Sequence, residues 1–161
     1  MRTVHWLFVV SVALFVSGIG FVVAAGRTGR GAPVEERPAF APVASVKQIM
    51  AGITGPAATV VYNSVGTVIN TQGVKEIEPQ NDEEWAVVGN NAAALVESGN
   101  LMLMEGRAVD RGDWVTMSRA LMDAATVAVK AVAAKDKEGI LASGSAINES
   151  CDNCHAKYQR Q

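Results

Sequence analysis

Near its C-terminal end the chain reads Cys151-Asp152-Asn153-Cys154-His155. Two cysteines three apart, followed directly by a histidine, form the attachment signature of a c-type haem. Each thiol can add its S–H across a vinyl group of the macrocycle to give a thioether, and His155 is then held where its imidazole can bind iron. A helix suits this chemistry. At 3.6 residues per turn, positions i, i+3 and i+4 share one face, so a flat ring can lie along it, fixed at two edges and axially at its centre.

Other readings of the motif fit less well. A thioredoxin-like pair needs a strand before it and a helix after it, and the position so near the C-terminus leaves no room for that fold. A structural zinc site takes four ligands, and beyond Cys151, Cys154 and His155 the chain offers only the distant His5. A plain disulfide is the bland alternative, but Cys-x-x-Cys within a regular helix is poorly placed to close one. The expected cofactor is therefore one covalently attached haem c, held by Cys151, Cys154 and His155.

Both cysteines are used by the motif, so none remains for a structural disulfide. This attachment needs reduced thiols in a compartment that otherwise oxidises them, which points to the bacterial periplasm or its equivalent. The N-terminus agrees with export. After Arg2, residues 6–25 run almost unbroken as WLFVVSVALFVSGIGFVVAA, so 1–25 reads as a signal peptide or signal anchor. Val23-Ala24-Ala25 offers small residues for cleavage. At about 1.5 Å per residue, however, the run reaches across a roughly 30 Å hydrocarbon core. Arg27 and Arg30 would prefer the cytoplasm, but attachment on the outer side decides the orientation. Residues 26–41, rich in Gly, Pro and charge, read as a flexible linker, useful to a tethered domain. With 14 basic and 16 acidic side chains, nothing suggests a nucleic-acid partner.

From Pro42 onward the apolar pattern is helical. Trp85, Val88, Ala92, Leu95, Gly99 and Met102 recur at steps of three and four, as do Trp114, Met117, Leu121, Ala124, Ala128 and Ala131. Asn81 with Glu84 predicts a cap and its reciprocal acid, and Asp82-Glu83-Glu84 a favourable first turn. Asp110 or Gly112 is expected to open the next helix and Asp136 the last, which carries Ile140, Gly144, Ile147, Cys151, Cys154 and Tyr158 on one stripe. A first helix, from about Pro42 to Asn63, is expected to put Val46, Met50, Ile53, Ala57 and Val60 on one side. Pro56 must kink or end it. Residues 65–80 show no helical stripe and read as a crossover; the remaining connections look brief, around Glu105-Gly106-Arg107 and Ala134-Lys135-Asp136. The expected fold class is all-α: a four-helix bundle over 42–161 with the haem-attachment helix last.

Four helices, Cys151-x-x-Cys154-His155 close to the C-terminus, Tyr158 three residues after the histidine, and Trp85 and Trp114 opening the middle helices together resemble the class II c-type cytochromes, the cytochrome c′ family. Where members often carry a basic residue directly after that aromatic, this chain has Gln159, with the charge at Arg160. The family divides by what stands at the sixth iron position, on the first helix. A methionine there gives His/Met ligation and an electron carrier; an aromatic or aliphatic side chain leaves a five-coordinate iron that binds nitric oxide or carbon monoxide. Met50 falls at that position, so the resemblance implies Met50 and His155 as axial ligands. The plain alternative for Met50 is core filling, the role expected of Met102, Met104, Met117 and Met122, as of Trp85 and Trp114.

The sequence thus predicts a periplasm-facing monohaem electron carrier, not an enzyme, that works with redox partner proteins. The membrane is a partner through the N-terminal segment if that stays uncleaved, and the resemblance implies homodimers through helix faces. A five-coordinate gas-binding protein is the alternative. A helical bundle with a redox-active dithiol is the third class, if no haem is attached.

Overall fold

The computed structural model describes residues 2–28 and 40–159, with side chains from 3 to 17 and from 40 to 159. Two compact units divide it, 1–39 and 40–161. The first holds helix α1 (Arg2–Thr28), which runs three residues into the stretch expected to be linker. Its described apolar side chains, Trp6, Phe8 and Phe15 among them, are exposed. Among the described residues no helix is long and apolar enough to cross a membrane. The side chains of the expected cleavage site, Val23-Ala24-Ala25, and residues 29–39 of the expected linker lie outside the described residues.

The second unit is mostly helical. Residue Ser45 caps α2 (Val46–Ile49) through a capping box with Gln48: the Gln48 N–H donates to Ser45 Oγ, and the Ser45 N–H to Gln48 Oε1. The helix therefore starts at Val46, four residues after Pro42, the expected opening. It passes without a break into a π-helical turn, Met50–Thr54, and then α3 (Gly55–Asn63), with Pro56 in its first turn. This is how Pro56 is accommodated. In an α-helix its ring would collide with the carbonyl four residues back, that of Gly52; widening the preceding turn moves that carbonyl away.

The widened turn adds a residue to the repeat, so the buried stripe slips by one. Ile49, Thr54, Ala57, Ala58 and Val61 are buried, whereas Ile53 is exposed and Val60 only half-buried. The expected face, with Ile53 and Val60, is corrected accordingly.

Residues 65–80 hold a hairpin where a bare crossover was expected. Strands β1 (Gly66–Asn70) and β2 (Gly73–Ile77) pair antiparallel, with Asn70 opposite Gly73 across Thr71-Gln72. The β-branched Thr67, Val68, Ile69 and Val74 explain the strands.

Three long helices follow: α4 (Asp82–Leu103), α5 (Asp113–Ala133) and α6 (Lys137–Tyr158). Their caps are those expected. Asn81 Oδ1 accepts from the Glu84 N–H at 2.9 Å, and Asp136 Oδ1 from the Gly139 N–H at 3.0 Å. Asp110 Oδ1 accepts from the N–H groups of Gly112 and Trp114 at the start of α5. The α4–α5 connection is longer than expected, running from Met104 to Gly112. The α5–α6 connection is tight: Lys135 takes a left-handed φ of 51° while its N–H and that of Asp136 donate back to Val132 and Ala131.

Contacts between helix ends give the directions. Lys135 at the end of α5 pairs with Asp82 at the start of α4 (2.6 Å), and Lys157 and Tyr158 at the end of α6 reach Asp113 and Asp110 at the start of α5. Helices α4, α5 and α6 are thus successive antiparallel neighbours. The run α2–α3 packs on α4, and α3 also on α6.

The core takes Trp85, Val88, Ala92, Leu95 and Met102 from α4, Trp114, Leu121 and Ala128 from α5, and Ile140 and Ile147 from α6. Small residues let the backbones approach. A Cβ on Gly99 would stand 2.2 Å from Met122 Cγ and 3.3 Å from the Ser118 carbonyl oxygen. Close approach buries serines as well. Ser98, Ser143 and Ser150 each bond back to the carbonyl three residues earlier, at 2.7–2.8 Å, which removes the cost of burying a hydroxyl. In α5, Ser118 and Ala125 are buried along with Trp114, Leu121, Ala128 and Ala131, whereas the expected Met117 and Ala124 are half-buried. In α6, Ser143 and Ser150 are buried along with Ile140 and Ile147, whereas Gly144 and Cys151 are half-buried.

Candidate functional site

The C-terminal turns of α6 are fixed from outside. Tyr158 packs edge-on against Trp114, with ring centroids 5.0 Å apart and planes at 77°. The Tyr158 hydroxyl donates to Asp110 Oδ2, and Lys157 pairs with Asp113. Tyr158, and the backbone N–H of Trp114 after it, hold the Asp110 carboxyl below its usual range; the same hydrogen bond raises Tyr158. Trp114 in turn donates Nε1–H to the Met102 carbonyl at 2.9 Å. The turn that carries Cys154 and His155 is therefore clamped to the start of α5 and the end of α4.

On the inner side of that turn lies a cavity of about 110 Å³. Cys151, Cys154 and His155 line it from α6, as their i, i+3, i+4 spacing requires on one helical face. Met50 and Thr54 line it from the π turn, Met102 from α4, and Met117 and Leu121 from α5. The structure thus brings together all four residues singled out in the sequence. Its wall is overwhelmingly apolar, with Ala58 and Leu121 among its members.

Both cysteines carry free thiols, half-buried. Burial is the first cause that pushes each thiol's pKa up. Redox-active pairs depend on a lowered thiol pKa, so this environment disfavours the dithiol reading and suits thiols that stay protonated until they are used. Among the described residues no group of three or more His, Cys, Asp or Glu side chains stands close enough to hold a metal ion.

A haem fits this set of donors: two protonated thiols and an imidazole on one face, and a thioether lining the same hollow. The cavity is smaller than the roughly 150 Å³ apolar hole that binds benzene. A macrocycle therefore needs movable walls and an edge at the surface. Met50, Met102 and Met117, unbranched with three rotatable bonds each, supply such walls.

Several residues here escaped the sequence reading. Met102 and Met117, expected as core filling alone, also line the cavity; Met104 and Met122 do not. Met104 Sδ accepts from Arg107 Nη1 at 3.0 Å, and Met122 packs at Gly99. Tyr62 on α3 lies beside Cys151, and a Cβ on Gly144 would touch its ring at 3.6 Å. Burial first, then the neighbouring Cys151, pushes the Tyr62 hydroxyl up to about 12. Thr54 carries the one buried side-chain polar atom without a hydrogen-bond partner among the described residues. Its spacing of four from Met50 was readable; its burial depended on the π turn. Tyr158, expected on the stripe of the last helix and in the resemblance, is also a clamp. Arg160, the displaced basic residue, lies outside the described residues.

Compared with known proteins, the chain matches no family, no curated protein and no solved structure.

Proposed function

We propose that the chain is a monohaem c-type cytochrome of the class II kind, a four-helix bundle with one haem c bonded to Cys151 and Cys154, which carries electrons and catalyses no reaction itself. One observation carries the reading: both thiols, the His155 imidazole and the Met50 thioether line a single apolar cavity between helices. When bound, the haem supplies a one-electron iron couple whose potential follows axial ligation, burial and hydrogen bonding.

The chain's own residues do the rest. Cys151 and Cys154 hold the ring's edge to α6. His155 presents a ring nitrogen, kept in place by the Tyr158–Asp110–Trp114 clamp. Met50, which lines the cavity, would offer its sulfur as a second ligand, and a soft sulfur favours the reduced state. Ala58, Leu121 and Met117, apolar members of the cavity wall, would keep water from the bound group. With both ligands fixed to packed helices, little has to move when an electron comes or goes.

Export to the periplasm is supported by α1, whose apolar side chains stand exposed on several sides and call for a non-aqueous neighbour. The domain works there either tethered or released, with redox proteins as partners.

The test is the protein purified from cells that mature c-type cytochromes. The expected result is the added mass of one haem, a Soret band, and in the oxidised form the weak far-red band of a sulfur–iron bond. A high-spin spectrum that responds to nitric oxide or carbon monoxide moves the reading to a gas-binding protein with an open sixth position. A mass equal to that of the polypeptide ends both.

A further inference from the structure

One polar group in the cavity has no local explanation. Thr54 is 4% exposed, and its Oγ1 has no partner. Threonines elsewhere in these helices bond back to the carbonyl four residues earlier, as Thr59 does to Gly55 at 2.9 Å and Thr126 to Met122 at 2.7 Å. For Thr54 that carbonyl belongs to Met50, and across the widened turn it receives the Gly55 N–H instead. The π turn therefore leaves a hydroxyl buried, desolvated and at the cavity wall. An unmet buried hydroxyl is costly, and π turns in α-helices often mark functional sites.

We infer that Thr54 is a positioning residue for the axial thioether: its hydroxyl donates a hydrogen bond to Met50 Sδ when that sulfur turns into the cavity. The inference rests on the haem reading above.

Residues Met50 and Thr54 stand one π turn apart and line the same cavity. Helical Cα–Cβ bonds tilt toward the N-terminus, so the Thr54 side chain leans back toward the turn of Met50. A thioether sulfur has two lone pairs and is a weak acceptor; one pair is left for the metal while the other takes the Thr54 proton. That choice fixes which side of the sulfur faces inward. It also draws electron density from the sulfur, which weakens donation to the ferric ion more than to the ferrous ion and raises the potential.

The experiment uses the full-length, haem-loaded protein with Thr54→Val, which keeps the shape and removes the hydroxyl, and Thr54→Ser, which keeps the hydroxyl. Reduction potential and competition by added imidazole for the methionine position are both measured. One neutral hydrogen bond corresponds to a change of about fivefold in such an equilibrium. Thr54→Val is expected to lower the potential and to let imidazole displace the methionine about fivefold more readily, with Thr54→Ser restoring both. A low-spin Thr54→Val protein with unchanged potential and imidazole affinity overturns the inference alone. So do equal changes in both variants, which would mean packing and not a hydrogen bond. A wild-type protein that is high-spin from the outset overturns the Met50 ligation beneath it, and one without haem overturns the whole reading.

Discussion

Helix α4 and the α2–α3 run face each other in the same unit and obey opposite rules. In α4 the stripe Trp85, Val88, Ala92, Leu95, Gly99, Met102 is buried as its spacing demands. Asn81 caps the helix by accepting from the Glu84 N–H, while the Glu84 carboxylate accepts from the Asn81 side-chain amide and the Gln80 N–H. In α2–α3 a proline forces a wider turn, the stripe slips, Ile53 faces outward and a hydroxyl is left unmet inside. The difference separates the body of the bundle from the wall of the cavity. Regular periodicity stabilises the body, and local irregularity is tolerated where it aims Met50 and Thr54 at the cavity.

The sharpest break of that comparison is at the motif. Replacing both cysteines, Cys151→Ala with Cys154→Ala, is expected to abolish covalently bound haem entirely, read as loss of mass and of pigment on a denaturing gel. Because the thiols are only half-buried, far-ultraviolet circular dichroism should keep its helical form.

Next, one change on each side separates body from site. Ile147, fully buried in α6, should cost about 2–5 kcal/mol as Ile147→Ala in denaturant unfolding, with the spin state unchanged. Met50→Ala should turn a low-spin haem high-spin; a spectrum identical to wild type would remove Met50 from the ligand set.

A third change targets the irregular turn itself. Pro56→Ala removes the collision with the Gly52 carbonyl, so the run can relax toward an uninterrupted α-helix. Met50 then rotates off the cavity, and a smaller fraction of the haem should be low-spin, with helix content equal or slightly higher. Unchanged ligation would show that packing, not Pro56, maintains the turn.

The pH dependence follows Tyr62. Its pKa is raised from the ordinary value of about 10 to about 12, by burial before anything else. A folded pKa above the unfolded one means its contribution is complete below about pH 10 and is lost as pH climbs to about 12. Absorbance titration of phenolate should find one tyrosine ionising near 12, and Tyr62→Phe should flatten the loss of stability in that window.

The smallest effect belongs to the regular side. Lys135 holds a left-handed φ of 51°, a conformation costing a side chain about 1 kcal/mol that glycine avoids. Lys135→Gly should raise the unfolding midpoint slightly, offset in part by loss of the exposed pair with Asp82.

Much of this was legible in the residue order, for a physical reason. Caps and stripes involve partners three or four positions apart, so Asn81 with Glu84, Asp136 with Gly139, and the α4 core could be read before any packing was known. The same holds for Cys151, Cys154 and His155, whose shared face follows from helical geometry alone. The hairpin was half legible: Thr67, Val68 and Ile69 are strand formers, but too short a run to stand out without a partner.

What only the tertiary structure decided depends on groups distant in sequence. Ser118 and Ser150 look polar, yet close approach of helices buries them. Tyr158 meets Asp110 only because α6 ends beside the start of α5. Met102 and Met117 face the same hollow as His155 only because three helices converge there. Thr54 became an orphan only when Pro56 widened the turn before it and the other helices sealed it from water. Short-range hydrogen bonds and periodicity are written into neighbouring residues, whereas burial is a property of whatever packs on top.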